Sequence, residues 1–210
     1  LDPRFEILET SVNGQTASYQ KAEGKLLLLG SEIQSGSEFT TTVSYRGRPY
    51  EAENPPWDGG FVWTETESGE HWIATAVQGR GCDLYWPCKD HISDKAELGA
   101  DMLITVPSNL TAVMNGVLLS QTSLSERTTY HWSSQNPISA YHLAINIGPF
   151  KKYEIQHSNA LTENPIPVIF YHVTNDMEKI EKLIKEDFIG QLEFFERTLG
   201  PYPWGEEKIG

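Results

Sequence analysis

No run in this sequence approaches the ~18 consecutive apolar residues of a membrane span, and no secretory signal is recognisable at its start. Basic residues are scarce: 16 Lys and Arg stand against 29 Asp and Glu, a net charge of −13 spread along the chain. Nucleic acids and anionic membrane surfaces need a basic footprint, so neither is expected as a partner. There are two cysteines, Cys82 and Cys88. They can pair or sit as two small buried side chains, and neither arrangement fixes a compartment. The sequence also lacks a His-Glu-x-x-His helix, a phosphate-binding glycine loop, a Cys-x-x-Cys pair and a Gly-x-Ser-x-Gly elbow. Read residue by residue, it contains no complete active site.

What is present suits a folded core: 39% of the 210 residues are hydrophobic and 11% aromatic, enough for one large domain or one and a half. From Phe5 to about Val173 short apolar or β-branched runs alternate with turn signals. The runs are Phe5–Thr10, Lys25–Gly30, Phe39–Tyr45, Phe61–Trp63, His71–Val77, Ala100–Val106, Leu110–Met114, Val117–Leu119, Thr128–Trp132, Tyr141–Ile147 and Pro167–Val173. Asn13-Gly14 and Asn115-Gly116 read as tight turns, and Glu67-Ser-Gly69 joins a hairpin. Many short strands at such spacing predict an antiparallel β-sandwich.

The period changes at Thr174. Met177, Ile180, Ile184, Phe188, Leu192, Phe195 and Leu199 follow at steps of three and four, the stripe of an amphipathic helix. Asn175 with Glu178 forms a capping box, and Gly200-Pro201 is a stop. No second helix is available, so the stripe must meet the β region or something outside the sequence. Residues 1–173 are therefore expected to form a β domain, and residues 174–210 to begin a truncated second one.

The stretch from Ala76 to Asp90 is the densest in chemical signals. A strand-like lead-in ends at Gln78, followed by Gly79 and Gly81, then the aromatic pair Tyr85-Trp86 and Pro87. Glycines at a strand end mark a bulge, with Gln78 satisfying a loop carbonyl; equally, they leave room for an amide presented at a cavity edge. Asp90, His91 and Asp94 have the donors for a cation, though such a turn is more often simply capped. His131 and His142 fall inside strand patterns and read as structural, and Asn109-Leu110-Thr111 fits a glycosylation acceptor.

Several segments, taken in order, resemble the N-terminal half of the aminopeptidase N family of zinc metallopeptidases, which includes leukotriene A-four hydrolase. Gln78 stands ten residues before Cys88 of Pro87-Cys-Lys-Asp90, where the family has Glu or Gln. Lys95-Ala96, Ile104–Pro107 and Ala112–Gly116 look like the next strand pair. Ile138–Ala144 with Ile147–Phe150 looks like the strand closing the first domain, and Phe194 to Trp204 like the first catalytic-domain helix and turn. Asp83 replaces the usual Arg and Ile92 the usual Pro, and the aromatic segments fit a bacterial-looking subgroup.

The resemblance implies a saddle-like β-sandwich that begins one or two strands into its domain. It also implies a sequence that stops before the family's metal motif. Zinc would belong to the parent protein, with no catalytic or metal-ligating residue here and no zinc bound to this portion alone. The implied partners are the N-terminus of a peptide substrate and the protein's own catalytic domain. Gln78 would bind the substrate α-amine, with Gly79 letting the backbone come close. Two alternatives are a non-catalytic relative serving as a protein scaffold, as in transcription complexes, and an unrelated sandwich binding a ligand through Trp57 and Trp86.

Overall fold

A computed structural model of the chain describes residues 1–29, 33–77, 81–89, 91, 93–159 and 165–210. The chain is mainly β, built on antiparallel sheets, with one long helical stretch over 177–199. It divides into two compact units. The first comprises Leu1–Trp63, Ala74–Lys95 and Ser139–Ala144; the second comprises Thr64–Ile73, Ala96–Ile138 and Ile145–Gly210.

The first unit opens with β1 (Glu6–Val12), β2 (Gln15–Thr16), β3 (Ser18–Ala22), β4 (Lys25–Leu29) and β5 (Thr41–Arg46). β1 lies between β2 and β5, and β3 pairs with β4. The expected turn after β1 is there: Asn13 and Gly14 both take positive φ, as a two-residue hairpin turn requires. β6 (Gly60–Glu65) and β7 (His71–Ala76) are neighbouring strands that run from one unit into the other. Their connection is closed at Thr66–Glu70.

In the second unit, after β8 (Lys95–Ala96), come β9 (Ala100–Pro107), β10 (Thr111–Val113), β11 (Val117–Leu124) and β12 (Arg127–Ser134). β12 is the centre of a three-stranded sheet between β11 and β9. Its alternation puts Thr128, Tyr130 and Trp132 on the buried side, and Trp132 faces Met102 of β9 in register. Burying a side chain of this kind contributes about 1.5–3 kcal/mol. Trp132 also donates its indole N–H to the Ala112 carbonyl at 2.9 Å, so its one polar atom is satisfied.

Asn115-Gly116 is not a hairpin turn. β10 pairs with β14 (Asn146–Gly148), while β11 pairs with β12, so the dipeptide is a bend carrying the chain between different strand partners. Gly116 is required there. Its φ is +77°, and a Cβ would lie 2.0 Å from the Ser133 carbonyl oxygen. The run Tyr141–Ile147 is likewise not one strand. It is replaced by β13 (Ile138–Ser139), a 3-10 turn at Ala140–His142, and β14. β15 (Lys151–His157) has alternating charged residues that hid it from a hydrophobic reading. It pairs along its whole length with β16 (Ile166–His172).

The helical stretch is α1 (Met177–Lys182), a π-helical segment (Leu183–Phe188) and α2 (Ile189–Leu199). Its cap is Asp176, whose carboxylate accepts from the Lys179 N–H at 3.0 Å, rather than Asn175. Asn175 instead accepts from the Lys151 ammonium. The π-helical segment also corrects the stripe. Ile180, Ile184, Phe188 and Leu192 of the predicted stripe do turn inward, the last two packing with Ile189 on Ile166 and Val168, and the shift of the inward face shows only beyond them. Phe195 and Leu199 are left exposed, at 54% and 79%. After the stop at Gly200 the chain returns, and Ile209 forms a parallel bridge to Val168. No helix among the described residues is long and apolar enough to cross a membrane.

Candidate functional site

The loop following β7 forms a small, closely tied structure in the first unit. Cys82 and Cys88 are joined by a disulfide, with Cα atoms 6.2 Å apart. Within the loop Cys82–Leu84 form a 3-10 turn, and the Cys82 carbonyl accepts from the N–H groups of Tyr85 and Trp86 at 3.0 and 3.2 Å. Tyr85 is buried. Its ring packs edge-on against Phe61 at 5.2 Å and against Trp86 at 5.5 Å.

The Tyr85 hydroxyl donates to the Ala76 carbonyl, with the Gly60 carbonyl 3.3 Å away. One oxygen thus marks the end of β7 and the start of β6. Burial pushes this phenol up to about 12, with a smaller contribution from Asp83. The Gly60 hydrogen bond opposes the shift. A second tier supports the first: Tyr45 donates its hydroxyl to the Tyr85 carbonyl at 2.6 Å and stacks edge-on with Phe5 at 5.1 Å. Gly60 is where β6 meets the Tyr50–Ala52 backbone. At φ +143°, a Cβ there would lie 2.7 Å from the Ala52 nitrogen.

Gln78 and Gly79, the residues expected to meet a substrate amine, lie outside the described residues, as do Asp90 and Ile92. What the structure does place is the backbone immediately before them. Ala76, two residues upstream of Gln78, is held through its carbonyl. Of the Asp90–His91–Asp94 group, His91 Nδ1 contacts the Ser93 hydroxyl at 2.7 Å, and Asp94 pairs with Lys89 at 3.5 Å. These are contacts of a capped turn. Among the described residues no group of three or more His, Cys, Asp or Glu could hold a metal, so they do not fit a zinc site. Trp57 is 69% exposed and Trp86 half-buried, its indole nitrogen without a hydrogen-bond partner among the described residues. His131 meets Asp101 at 2.9 Å, while His142 lies in a 3-10 turn against Tyr141 rather than in a strand.

Sequence reasoning overlooked three polar groups in the second unit. Burial alone would raise the Glu207 carboxyl. Hydrogen bonds from Asn136, the Gln135 N–H and Ser134 outweigh it and hold the group below its usual value. Lys208 donates to the carbonyls of Met114 and Gly116 at 2.8 and 3.0 Å, with its nitrogen 4.8 Å from the centre of the Trp132 ring. Burial lowers its ammonium to about 8, against the opposing pull of Glu207. Glu196 accepts from Tyr202 N–H and Asn159 and meets His157 Nε2 at 2.7 Å. It lines an open cleft of about 680 Å³. Glu207 and Lys208 lie past the helix stop and Glu196 within α2, and none of them carries a periodic signal, so only coordinates reveal these bonds.

Compared with known proteins, the chain matches no protein-family model. It is 28% identical over 183 residues to transcription initiation factor TFIID subunit 2 of Drosophila melanogaster, covering 83% of this chain but 14% of that protein. Among solved structures it is similar to a mutant two-domain M1 zinc metallopeptidase bound to L-tryptophan. The TM-score is 0.75 at 20% identity, over 95% of this chain and 45% of the other. The M1 zinc metallopeptidase of Deinococcus radiodurans gives a TM-score of 0.73 at 19% identity, over 95% and 44%. A mutant of it bound to a Tyr-Ser-Ala substrate gives 0.75 at 20%. The fold is that of the corresponding region of these peptidases, and the chain spans less than half their length.

Proposed function

We propose that this chain is the non-catalytic N-terminal portion of a zinc aminopeptidase, in which residues 1–173 form the β domain and residues 174–210 begin the catalytic domain. The observation that carries this reading is the likeness, over 95% of the chain, to M1 zinc metallopeptidases, one of them bound to a tripeptide substrate. Zinc and its ligands would then come from a catalytic domain outside this sequence, and the chain alone would be inactive.

Its own contribution would be Gln78, with Gly79 giving the substrate backbone room. The amide oxygen of Gln78 can accept hydrogen bonds from the free α-ammonium of a peptide, placing the first peptide bond, and no later one, at the metal. A glutamine grips less tightly than a glutamate would, because the ion–ion attraction is missing. The test uses the longer protein this reading requires: cleavage of amino-acid anilides, with and without a zinc chelator, then with Gln78→Ala. Chelator-sensitive cleavage that falls sharply in the variant is the expected result. Cleavage unchanged by the substitution removes Gln78 from the mechanism.

One observation favours a second reading, a non-catalytic scaffold: the 28% identity to a transcription initiation factor subunit. A folded, zinc-supplied parent without any peptidase activity would select it.

A further inference from the structure

The cleft of about 680 Å³ beside Glu196 lies between a sheet edge and a helix. Strand β15 pairs with β16 along one side, and among the described residues its other edge has no partner strand. We infer that this groove is a docking site for an extended acidic peptide segment, which adds to the open edge of β15 and sets a carboxylate on Arg197. Docking of this kind uses residues of the second unit alone and is independent of the role proposed for Gln78.

An unpaired strand edge presents a row of N–H and C=O groups, which an extended peptide satisfies by strand addition. Proteins blunt such edges with lysine. Here Lys151 and Lys152 guard one end of β15 only, while the cleft opens beside Ile155, Gln156 and His157 at the other. The opposite wall is a stripe on the helix formed by Lys185, Ile189, Glu193 and Arg197, each four residues from the last. Between the walls His157 is buried and bonded to Glu196, which also accepts from Asn159 and the Tyr202 N–H.

Charge decides the chemistry of the guest. Glu196 is committed to those internal bonds, and Lys185 is paired with Glu181 at 3.0 Å. Arg197 is exposed, and no described carboxylate pairs with it. A planar guanidinium at the end of a groove matches a carboxylate through two parallel hydrogen bonds. Ile155 and Ile189 pack on the same core cluster and give the groove its apolar patch. From Ile189 to Arg197 a helix rises roughly 12 Å, and four residues of strand span about 13 Å. The peptide that fits therefore carries an apolar and an acidic side chain four residues apart on one face. Glu193, between the two positions, disfavours a second acid.

The probe is acetyl-Val-Thr-Thr-Thr-Glu-amide, with its reversed sequence, because strand addition runs in either direction. Each is titrated into the isotope-labelled chain while backbone amide signals are followed by NMR. Controls replace Glu by Lys, move Glu one place so that it faces away, or N-methylate alternate amides so that strand bonds fail. Saturable shifts of the Ile155, Gln156 and His157 amides are expected with at least one direction of the probe. Each control should bind about tenfold more weakly. Arg197→Glu should weaken the acidic probe about tenfold and strengthen its lysine counterpart. An unchanged spectrum away from the groove checks that this variant folds. If it does not, Arg197→Gln replaces it, with loss of the preference for the acidic probe expected.

Absence of saturable shifts at millimolar probe, shifts confined to another surface, or equal binding of the acidic and lysine probes overturns the inference. So does a concentration-dependent shift of the β15 amides without peptide that the probe fails to reverse, which would assign the edge to a second copy of the chain.

Discussion

The loop around Tyr85 in the first unit is held by neutral groups, whereas the chain end in the second unit is held by charges. In the loop, two phenol hydroxyls donate to backbone carbonyls and a disulfide closes the ring. At the chain end, a carboxylate gathers the hydrogen bonds of Ser134, Gln135 and Asn136, and an ammonium group caps the carbonyls of Met114 and Gly116. Both regions satisfy buried carbonyl oxygens, but with opposite consequences. A neutral donor costs little to bury and stays insensitive to pH until the phenol ionises. A charged donor makes stronger bonds and carries a desolvation penalty that depends on its protonation. Geometry built from hydroxyls is therefore constant under changing conditions, while a clasp built from ions is conditional.

The largest way to break the charged side is Gly116→Ala. The added Cβ would meet the Ser133 carbonyl at 2.0 Å in a backbone conformation that alanine avoids, so backbone must move where Lys208 binds. A loss of about 4 kcal/mol is expected, read as a lower urea midpoint with an unchanged slope.

Next is Lys208→Met, which keeps the length of the side chain and leaves two carbonyls without their donor, for a loss of about 3 kcal/mol. Its pH dependence sharpens the contrast. The folded-state pKa of Lys208 is depressed to about 8 from 10.5, so the unfolded chain binds more protons between those values. The Lys208 contribution is thus lost as pH falls through 8 and grows toward 10.5. Melts of wild type minus variant should show a gap that widens over that window. Tyr85 runs the other way: its pKa is raised from 10 to about 12, and its stabilisation fades as pH climbs between them.

How much of this was readable beforehand follows from the chemistry. Strands with alternating apolar residues, such as β12, and the stop at Gly200-Pro201 were legible because periodicity and turn propensity are local. Of the stripe from Met177 to Leu199, Ile180, Ile184, Phe188 and Leu192 face the core while Met177, Phe195 and Leu199 are exposed, and the π-helical turn leaves no mark in a 3.6-residue pattern. β15 was missed because Lys151, Lys152 and Glu154 mask its pairing, and Asn115-Gly116 was misread because a bend between partners uses the same dipeptide as a hairpin. At the candidate site, the order of Gln78, Gly79, Tyr85 and Cys88 could be read. The hydroxyl-to-carbonyl bond of Tyr85 could not, because it joins residues nine apart through a fold the sequence only implies.

The smallest of these effects tests the neutral side. Cys82 and Cys88 close a loop around Tyr85 and Trp86. In the chain-entropy account, a cross-link spanning so few residues contributes about 2 kcal/mol, at the low end for disulfides. Reduction with a thiol should therefore lower the stability of the first unit by about that amount and leave the second unchanged. Hydrogen exchange separates the two. The amides of Tyr85 and Trp86, which donate to the Cys82 carbonyl, should lose protection on reduction, while those of β12 around Trp132 should not. If Tyr85 and Trp86 keep full protection, the phenol bonds and ring packing hold the loop without help. The disulfide is then dispensable to the geometry that fixes Ala76. If β12 loses protection as well, the two units unfold as one, and the contrast between neutral and charged clasps no longer describes separable regions.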